Sequence, residues 1–182
     1  MKTESLHGLY LEQLRDLYDA EHQLIEALPK MAKASVSPEL RSAFEEHWEQ
    51  TKEHARRIET IVEAMGVKAK GQKCKAMEGL VKEGAEVIKE DMEDDVKDAA
   101  LIAAAQRVEH YEMAGYGCVR TYASLLGDQK ASAILEKTLQ EEKEADETLG
   151  GIAEQVNVAI PRGTQNAKRA ANIPGRRSKS AA

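Results

Sequence analysis

The chain has 182 residues, 32 acidic against 26 basic for a formal net charge of −6, and is 42% hydrophobic but only 4% aromatic. Abundant Ala, Glu, Lys and Leu favour helices, and the scarcity of aromatic and β-branched strand formers excludes a β-sandwich or barrel. No apolar run nears the roughly eighteen residues of a membrane span, and the start, MKTESLHGLY, lacks a basic-then-apolar export signal, so a cytoplasmic helical protein is expected.

In chain order, a first helix is expected from about Ser5 to Ala34, with Pro29 as a kink. Ser37-Pro38-Glu39 then supplies an N-cap, a proline in the first turn and an acid that complements the helix dipole. The helix it opens runs to about Met65 and stops at Gly66. Val67 to Asp94 form a long connection whose Ala/Glu/Lys-rich part, Cys74 to Glu93, predicts a short extra helix. Asp95 and Asp98 mark the start of a third long helix, which Gly127-Asp128 ends before a fourth opens near Gln129 and runs to about Val156. The last stretch, from Arg162 onward, holds six basic and no acidic residues, which leaves the preceding body at a net −12. It reads as a disordered basic tail over 161–182, following a domain of residues 1–160. Two helical hairpins joined by one long crossover give an all-α, antiparallel four-helix bundle with the connectivity of ferritin-like folds.

A bundle core demands an apolar stripe on each helix, in alternating steps of three and four. The first helix reads Tyr10, Leu14, Leu17, Glu21, Leu24, Leu28, Met31. The second reads Leu40, Phe44, His47, Thr51, His54, Ile58, Ile61, Met65. The third reads Ile102, Ala105, Glu109, Glu112, Tyr116, Val119, Ala123, and the fourth Leu135, Thr138, Glu142, Ala145, Leu149, with Asp146 beside it. Every stripe is apolar at its ends and ionisable near its middle. Buried unpaired carboxylates cost several kcal/mol each, so four coincident interruptions need one explanation.

Depth along the bundle supplies it. Residues equally far from a tight turn lie at equal height in antiparallel neighbours. Glu21 and Thr51 are equidistant from the first turn, with Gln50 and His54 flanking that level. Glu112 and Glu142 are equidistant from Gly127, with Glu109 and Asp146 a turn deeper. The dipeptide Glu21-His22 recurs as Glu109-His110, and Gln50 and His54 align with Glu142 and Asp146 at a second common offset. A duplicated hairpin with pseudo-twofold symmetry brings both layers to one centre.

Five carboxylates (Glu21, Glu109, Glu112, Glu142, Asp146) beside the imidazole of His54 call for protons or cations. Two divalent ions would nearly neutralise them, and mixed carboxylate and imidazole ligands suit iron, manganese or zinc better than calcium or magnesium. His47 lies two turns from His54 and is expected to orient ligands or pack at the core edge. His22 and His110 lie beside the stripe. Tyr116 reads as a core tyrosine, with a redox role as the sharper alternative. Cys74 and Cys118 form neither a disulfide framework nor a CxxC knuckle and read as ordinary thiols.

The strings LYDAEHQLIEALPKMA, HWEQTKEH, KCKAMEGL, DAALIAAAQRVEHYEMAGYG and TLQEEKEAD resemble the YciE/YciF family of bacterial ferritin-like proteins, over about residues 5 to 157. The resemblance implies a rubrerythrin-related bundle, a homodimer, and a metal-binding, stress-related role. Of the wider ferritin-like pattern, Glu21 matches the Glu of the first helix, and Glu109 and Glu112 match the ExxE of the third. On the second helix Thr51 stands where a Glu three residues before His54 is usual, so Gln50 or Glu53 would substitute. On the fourth, Glu142 and Asp146 stand where a Glu and a His are usual.

The resulting expectation is a dinuclear metal centre held by Glu21, Gln50, His54, Glu109, Glu112, Glu142 and Asp146. Iron is the first choice, with manganese or zinc as alternatives. Stress protection follows, with oxygen- or peroxide-linked iron oxidation if the pair is redox-active; no catalytic residue is assigned. A non-catalytic metal-binding or interaction module and a manganese-catalase-like enzyme are the rivals. Nucleic-acid binding by the basic tail is a further alternative, which the acidic body argues against.

Overall fold

The computed structural model describes residues 5–159, among which every regular element is an α-helix. In chain order these are α1 (Leu6–Ala34), α2 (Pro38–Ala64), α3 (Lys75–Lys89), α4 (Asp94–Leu125) and α5 (Gln129–Ala159). The basic segment 161–182 lies outside the described residues.

Local chemistry sets the boundaries. The Ser5 hydroxyl accepts from the Gly8 amide at 3.1 Å, and Ser37 does the same for Leu40 at 3.3 Å, with Pro38 in the first turn. Asp128 opens α5 by accepting from the Ala131 amide at 2.9 Å. Gly66 and Gly127 follow α2 and α4 with φ of +76° and +82°, left-handed angles that glycine adopts without strain. α1 continues as a helix through Pro29.

α1 packs against α2 and α4, and α5 against α4 and α2, so the order around the bundle is α1, α2, α5, α4. The crossover helix α3 lies on α1 and α4 and covers that face. Its start is fastened to α1 by polar contacts. Asp19 accepts from the Cys74 amide at 2.8 Å, and the Gln23 amide donates to the Cys74 carbonyl at 3.0 Å. The buried Cys74 thiol donates to Asp16 at 3.3 Å and meets the Tyr111 hydroxyl of α4 at 3.0 Å, while Tyr111 also donates to Asp16. Burial pushes the Cys74 thiol above its ordinary pKa, so it stays a neutral, inert group. Cys118 is exposed, and both cysteines are free thiols.

The core falls into two apolar clusters, one toward each end of the bundle. Leu24, Leu28, Leu40, Phe44, Ile102 and Leu149 belong to the first. Leu14, Leu17, Ile58, Tyr116, Val119 and Leu135 belong to the second. The ionisable residues of the four stripes occupy the level between them, which is where equal distances from the turns place them.

Asp98 ties the hairpins together at one end. It is 3% exposed, and its two oxygens accept from the Val36 and Ser37 amides at 2.9 and 2.7 Å. An acid of α4 thereby holds the α1–α2 turn and the start of α2, where a negative charge also complements the helix dipole. Truncating it orphans both amides, so Asp98→Ala should lower stability by about 2–3 kcal/mol. Urea unfolding of wild type and variant measures this, and a loss below about 0.5 kcal/mol would show that the turn holds without the carboxylate.

Candidate metal centre

Six residues converge between the two apolar clusters: Glu21 from α1, His47 and His54 from α2, Glu109 and Glu112 from α4, and Glu142 from α5. All are buried, and Glu21, His54, Glu112 and Glu142 have no measurable exposure. They form two groups able to hold a metal ion, His47–Glu109–Glu112–Glu142 and Glu21–His54–Glu142, each with its potential ligand atoms within 4.8 Å of one another. Glu142 belongs to both.

Helix periodicity explains the convergence. Glu109 and Glu112 are one turn apart on α4, and His47 and His54 two turns apart on α2, so each pair shares a face. His47 Nε2 lies 3.4 Å from Glu109 and 3.8 Å from Glu142. His54 Nδ1 lies 3.0 Å from Glu142 and 3.8 Å from Glu21. By hydrogen-bond geometry the His54 and Glu142 atoms are unpartnered, although at 3.0 Å they attract as an ion pair.

The outer nitrogen of each histidine is anchored. His54 Nε2 meets Glu141 at 3.0 Å, and Glu141 is gripped by Arg57, with one contact at 3.2 Å and a second, shorter one. Because a carboxylate can only accept, Nε2 carries the hydrogen and Nδ1 is left to face the centre. His47 Nδ1 approaches the Gln50 side-chain oxygen at 3.4 Å. The same logic leaves its Nε2 facing Glu109 and Glu142. A carboxylate or amide behind an inward-facing imidazole is the usual support of a metal-binding histidine. On the opposite side, the Tyr116 hydroxyl donates to Glu21 Oε1, and its ring meets His54 edge-on at 6.3 Å between centroids.

Nine buried side-chain oxygen or nitrogen atoms among the described residues have no hydrogen-bond partner, and eight of them belong to these six residues. The ninth is the Tyr10 hydroxyl. Each orphaned polar atom costs about 1–3 kcal/mol, and native cores leave few of them. So dense a concentration falls on six residues of a type that could hold a metal ion.

Electrostatics agrees. Burial, opposed by His54 and reinforced by Glu142, pushes the Glu21 carboxyl up to about 8. Burial likewise lifts Glu109 to about 8 and raises Glu112 well above the carboxylate range. For His54 burial works against the charge, yet Glu142, Glu21 and Glu141 raise it to about 9. Without cations the centre keeps protons.

The other residues expected at the site lie around it. Gln50 is exposed on α2, and its side-chain oxygen stands behind His47 Nδ1. Asp146 sits at the rim, 22% exposed, where it pairs with His110 at 3.4 Å and accepts from Gln106 at 3.2 Å. Thr51 is buried but turns its hydroxyl back to the His47 carbonyl at 2.8 Å, and Glu53 pairs with Arg56 and Arg57. His22 is exposed and donates to the Tyr18 carbonyl, and His110 is also exposed. His47, expected to stand outside a compact centre, is inside it: on its seven-residue step from His54 it meets the side chains of α4 and α5 one layer along. Glu141 and Arg57 went unread because they lie off the stripes, where surface ion pairs are commonplace.

A four-helix bundle of two hairpins with one long crossover has the ferritin-like fold. At the level of the fold alone, a two-domain protein from Anabaena variabilis containing DJ-1/ThiJ/PfpI-like and ferritin-like domains aligns with a TM-score of 0.58 at 14% identity, over all of this chain and 43% of its own. The chain belongs to the family described as domain of unknown function DUF892, which it matches over residues 5–160. It is 45% identical over 154 residues to protein YciF of Escherichia coli (strain K12), covering 84% of this chain and 93% of that one. The crystal structure of that stress protein superposes with a TM-score of 0.83 at 43% identity, over 86% of this chain and 99% of the other. YcfI from Rhodopseudomonas palustris superposes at 0.79 with 37% identity, over 82% and 95% of the two chains.

The raised pKa values dictate a pH dependence for the metal-free protein. Folded Glu21 and Glu109 keep protons to about 8, against an ordinary 4.5, and folded His54 keeps its proton to about 9, against 6.5. Across these windows the folded chain binds more protons than the unfolded one, so its stability falls as pH rises. The metal-free Tm, followed by circular dichroism, should fall steadily between about pH 5.5 and 8.5. A Tm that is flat or rises over this range would contradict the burial of these groups as carboxylic acids.

Proposed function

We propose that this chain binds two divalent metal ions, iron foremost, between its apolar clusters, and acts in stress protection in the cytoplasm as a homodimer. The observation that carries the reading is the concentration of eight unpartnered buried atoms on six residues of ligand type. The donor set fits the charge as well. Four buried glutamates carry −4 when ionised, and two divalent ions restore neutrality. Carboxylates with one imidazole per place suit iron or manganese, with zinc as the redox-silent alternative.

Under this reading Glu142, common to both groups, would serve both places. His47, Glu109 and Glu112 complete one place, and Glu21 and His54 the other. Gln50 and the Arg57–Glu141 pair fix the ring orientations from behind. Tyr116 holds one oxygen of Glu21 and leaves the other for binding. Iron bound here would supply redox chemistry toward oxygen or peroxide. What the protein itself contributes is a dry, preorganised set of donors, together with the release of protons from Glu21, Glu109 and Glu112 as cations arrive. The stress role rests on the likeness to the E. coli stress protein.

A non-catalytic role in sequestration, or as a stress-induced interaction module, is the competing reading. Elemental analysis of gently purified protein, followed by anaerobic Fe(II) titration, separates the alternatives. The expected result is about two equivalents per chain, falling to about one for His54→Ala and to well below one for Glu142→Ala, because only Glu142 serves both places. Peroxide-dependent Fe(II) oxidation that is fast in wild type and lost in Glu109→Ala would support turnover. Equal rates in the two would leave sequestration, and no uptake at all would hand the centre to buried carboxylic acids and favour the interaction module.

A further inference from the structure

The centre is sealed on most sides. α3 covers the α1–α4 face, and the two apolar clusters close the ends. On the opposite face, between α2 and α5, lies a recess of about 160 Å³. His47 and Glu109 form its floor, and Glu46, Gln50 and Glu144 stand along it. Alanines on its walls, Ala145 among them, leave the gap open where a larger side chain would fill it.

Two observations give this recess a direction. Its floor residues are 6% and 2% exposed, yet His47 Nε2 and Glu109 Oε2 have no hydrogen-bond partner. Its charged lining is entirely acidic apart from the histidine. Four other recesses each present lysine or arginine: Lys30 under α3, Lys33 and Arg41 between α1 and α2, Arg120 near the α4–α5 turn, and Lys30, Lys73 and Lys82 beside α3. None of those four is lined by any of the six buried residues of the centre.

We propose that the recess between α2 and α5 is the port through which a hydrated divalent cation reaches the centre, with Glu46 and Glu144 gathering it at the mouth and His47 and Glu109 receiving it at the floor. The inference rests on the metal-binding reading and adds its route. A volume of about 160 Å³ admits an ion with part of its water shell, since each water takes about 30 Å³. Glu46 and Glu144 are exposed at the mouth, and a cleft lined by acidic side chains raises the local concentration and arrival rate of a cation. Gln50 touches both worlds: it lines the recess and engages His47 Nδ1 at 3.4 Å. Water is shed as the ion passes from the two outer carboxylates to the unpartnered nitrogen and oxygen below.

The test uses the full-length, metal-free protein and cobalt(II) chloride as probe, with uptake followed by stopped-flow through the visible bands of bound Co(II). Glu46→Gln with Glu144→Gln is compared with Glu26→Gln with Glu78→Gln, which removes the same charge from the recess beside α3. At low ionic strength the port variant should load about tenfold more slowly than wild type and lose most of its salt dependence, while reaching the same final stoichiometry. The control variant should stay within about twofold of wild type. Ala145→Leu, confirmed as folded by circular dichroism, should slow loading at every salt concentration by filling the gap. Port and control variants loading at equal rates would overturn the route and leave metal binding intact. Absence of Co(II) uptake by wild type would overturn the metal-binding reading and the port with it.

Discussion

The constraint on which the rest of the molecule depends is a layer of four buried glutamates placed between two apolar clusters. Each of Glu21, Glu109, Glu112 and Glu142 is removed from water by packing that the fold needs for other reasons, and each lies close enough to the others to raise the cost of ionising its neighbours. A helical bundle of this size has every reason to fill those positions with leucine, since replacing buried charge by apolar side chains of similar volume is often neutral or stabilising. A local stability deficit confined to one layer, and flanked by well-packed hydrophobic residues, is the kind of departure from packing rules that functional sites carry. The two clusters supply the burial energy that lets the layer persist.

The layer can exist only if the two hairpins agree in height, and the turns enforce that agreement. Gly66 and Gly127 stop α2 and α4 by left-handed backbone angles, and Ser37 and Asp128 start α2 and α5 by capping amides. Asp98 couples the hairpins by holding the α1–α2 turn from α4. The crossover helix, fastened through Cys74, Asp16, Asp19 and Tyr111, covers one face and couples α1 to α4 laterally. A slip of one residue in either hairpin would rotate a carboxylate by about 100° and lift it by about 1.5 Å, enough to break the convergence on Glu142.

This logic explains what could be read in the residues before any coordinates. Helix number, boundaries and connectivity were legible because caps, glycines and a three-and-four periodicity all pointed the same way. The carboxylate layer was legible because antiparallel neighbours convert sequence distance from a tight turn into height. His47 was misplaced by a one-helix argument: its two-turn separation from His54 looked too large, but long side chains from α4 and α5 come to meet it. Gln50 and Asp146 lie outside the buried cluster for the complementary reason. Each lies beside its stripe, and a side chain a step off the seam ends at solvent or at the rim, as the His110–Asp146 pair shows. Glu141 and Arg57 look like a routine surface ion pair in sequence, and only the approach of Glu141 to His54 Nε2 gives them a different meaning.

The two halves of the centre are unlike each other, and the difference follows from two departures of pattern. With Thr51 in place of a glutamate on α2 and no histidine on α5, the pseudo-symmetry hinted at by the repeated Glu-His dipeptide is broken at the ligand level. α2 supplies both imidazoles, one to each group. His54 is locked behind Glu141, Arg57 and the ring of Tyr116, with no measurable exposure. His47 is backed only by the longer contact to an exposed Gln50 and lies at the floor of the acidic recess. A place enclosed by charge-assisted contacts exchanges its contents slowly, because opening it requires breaking several of them together. A place at the foot of an open recess exchanges quickly. The two groups thus differ in enclosure, the Glu21–His54 side being shut in by Glu141, Arg57 and Tyr116 and the His47–Glu109–Glu112 side opening onto the recess, with Glu142 common to both.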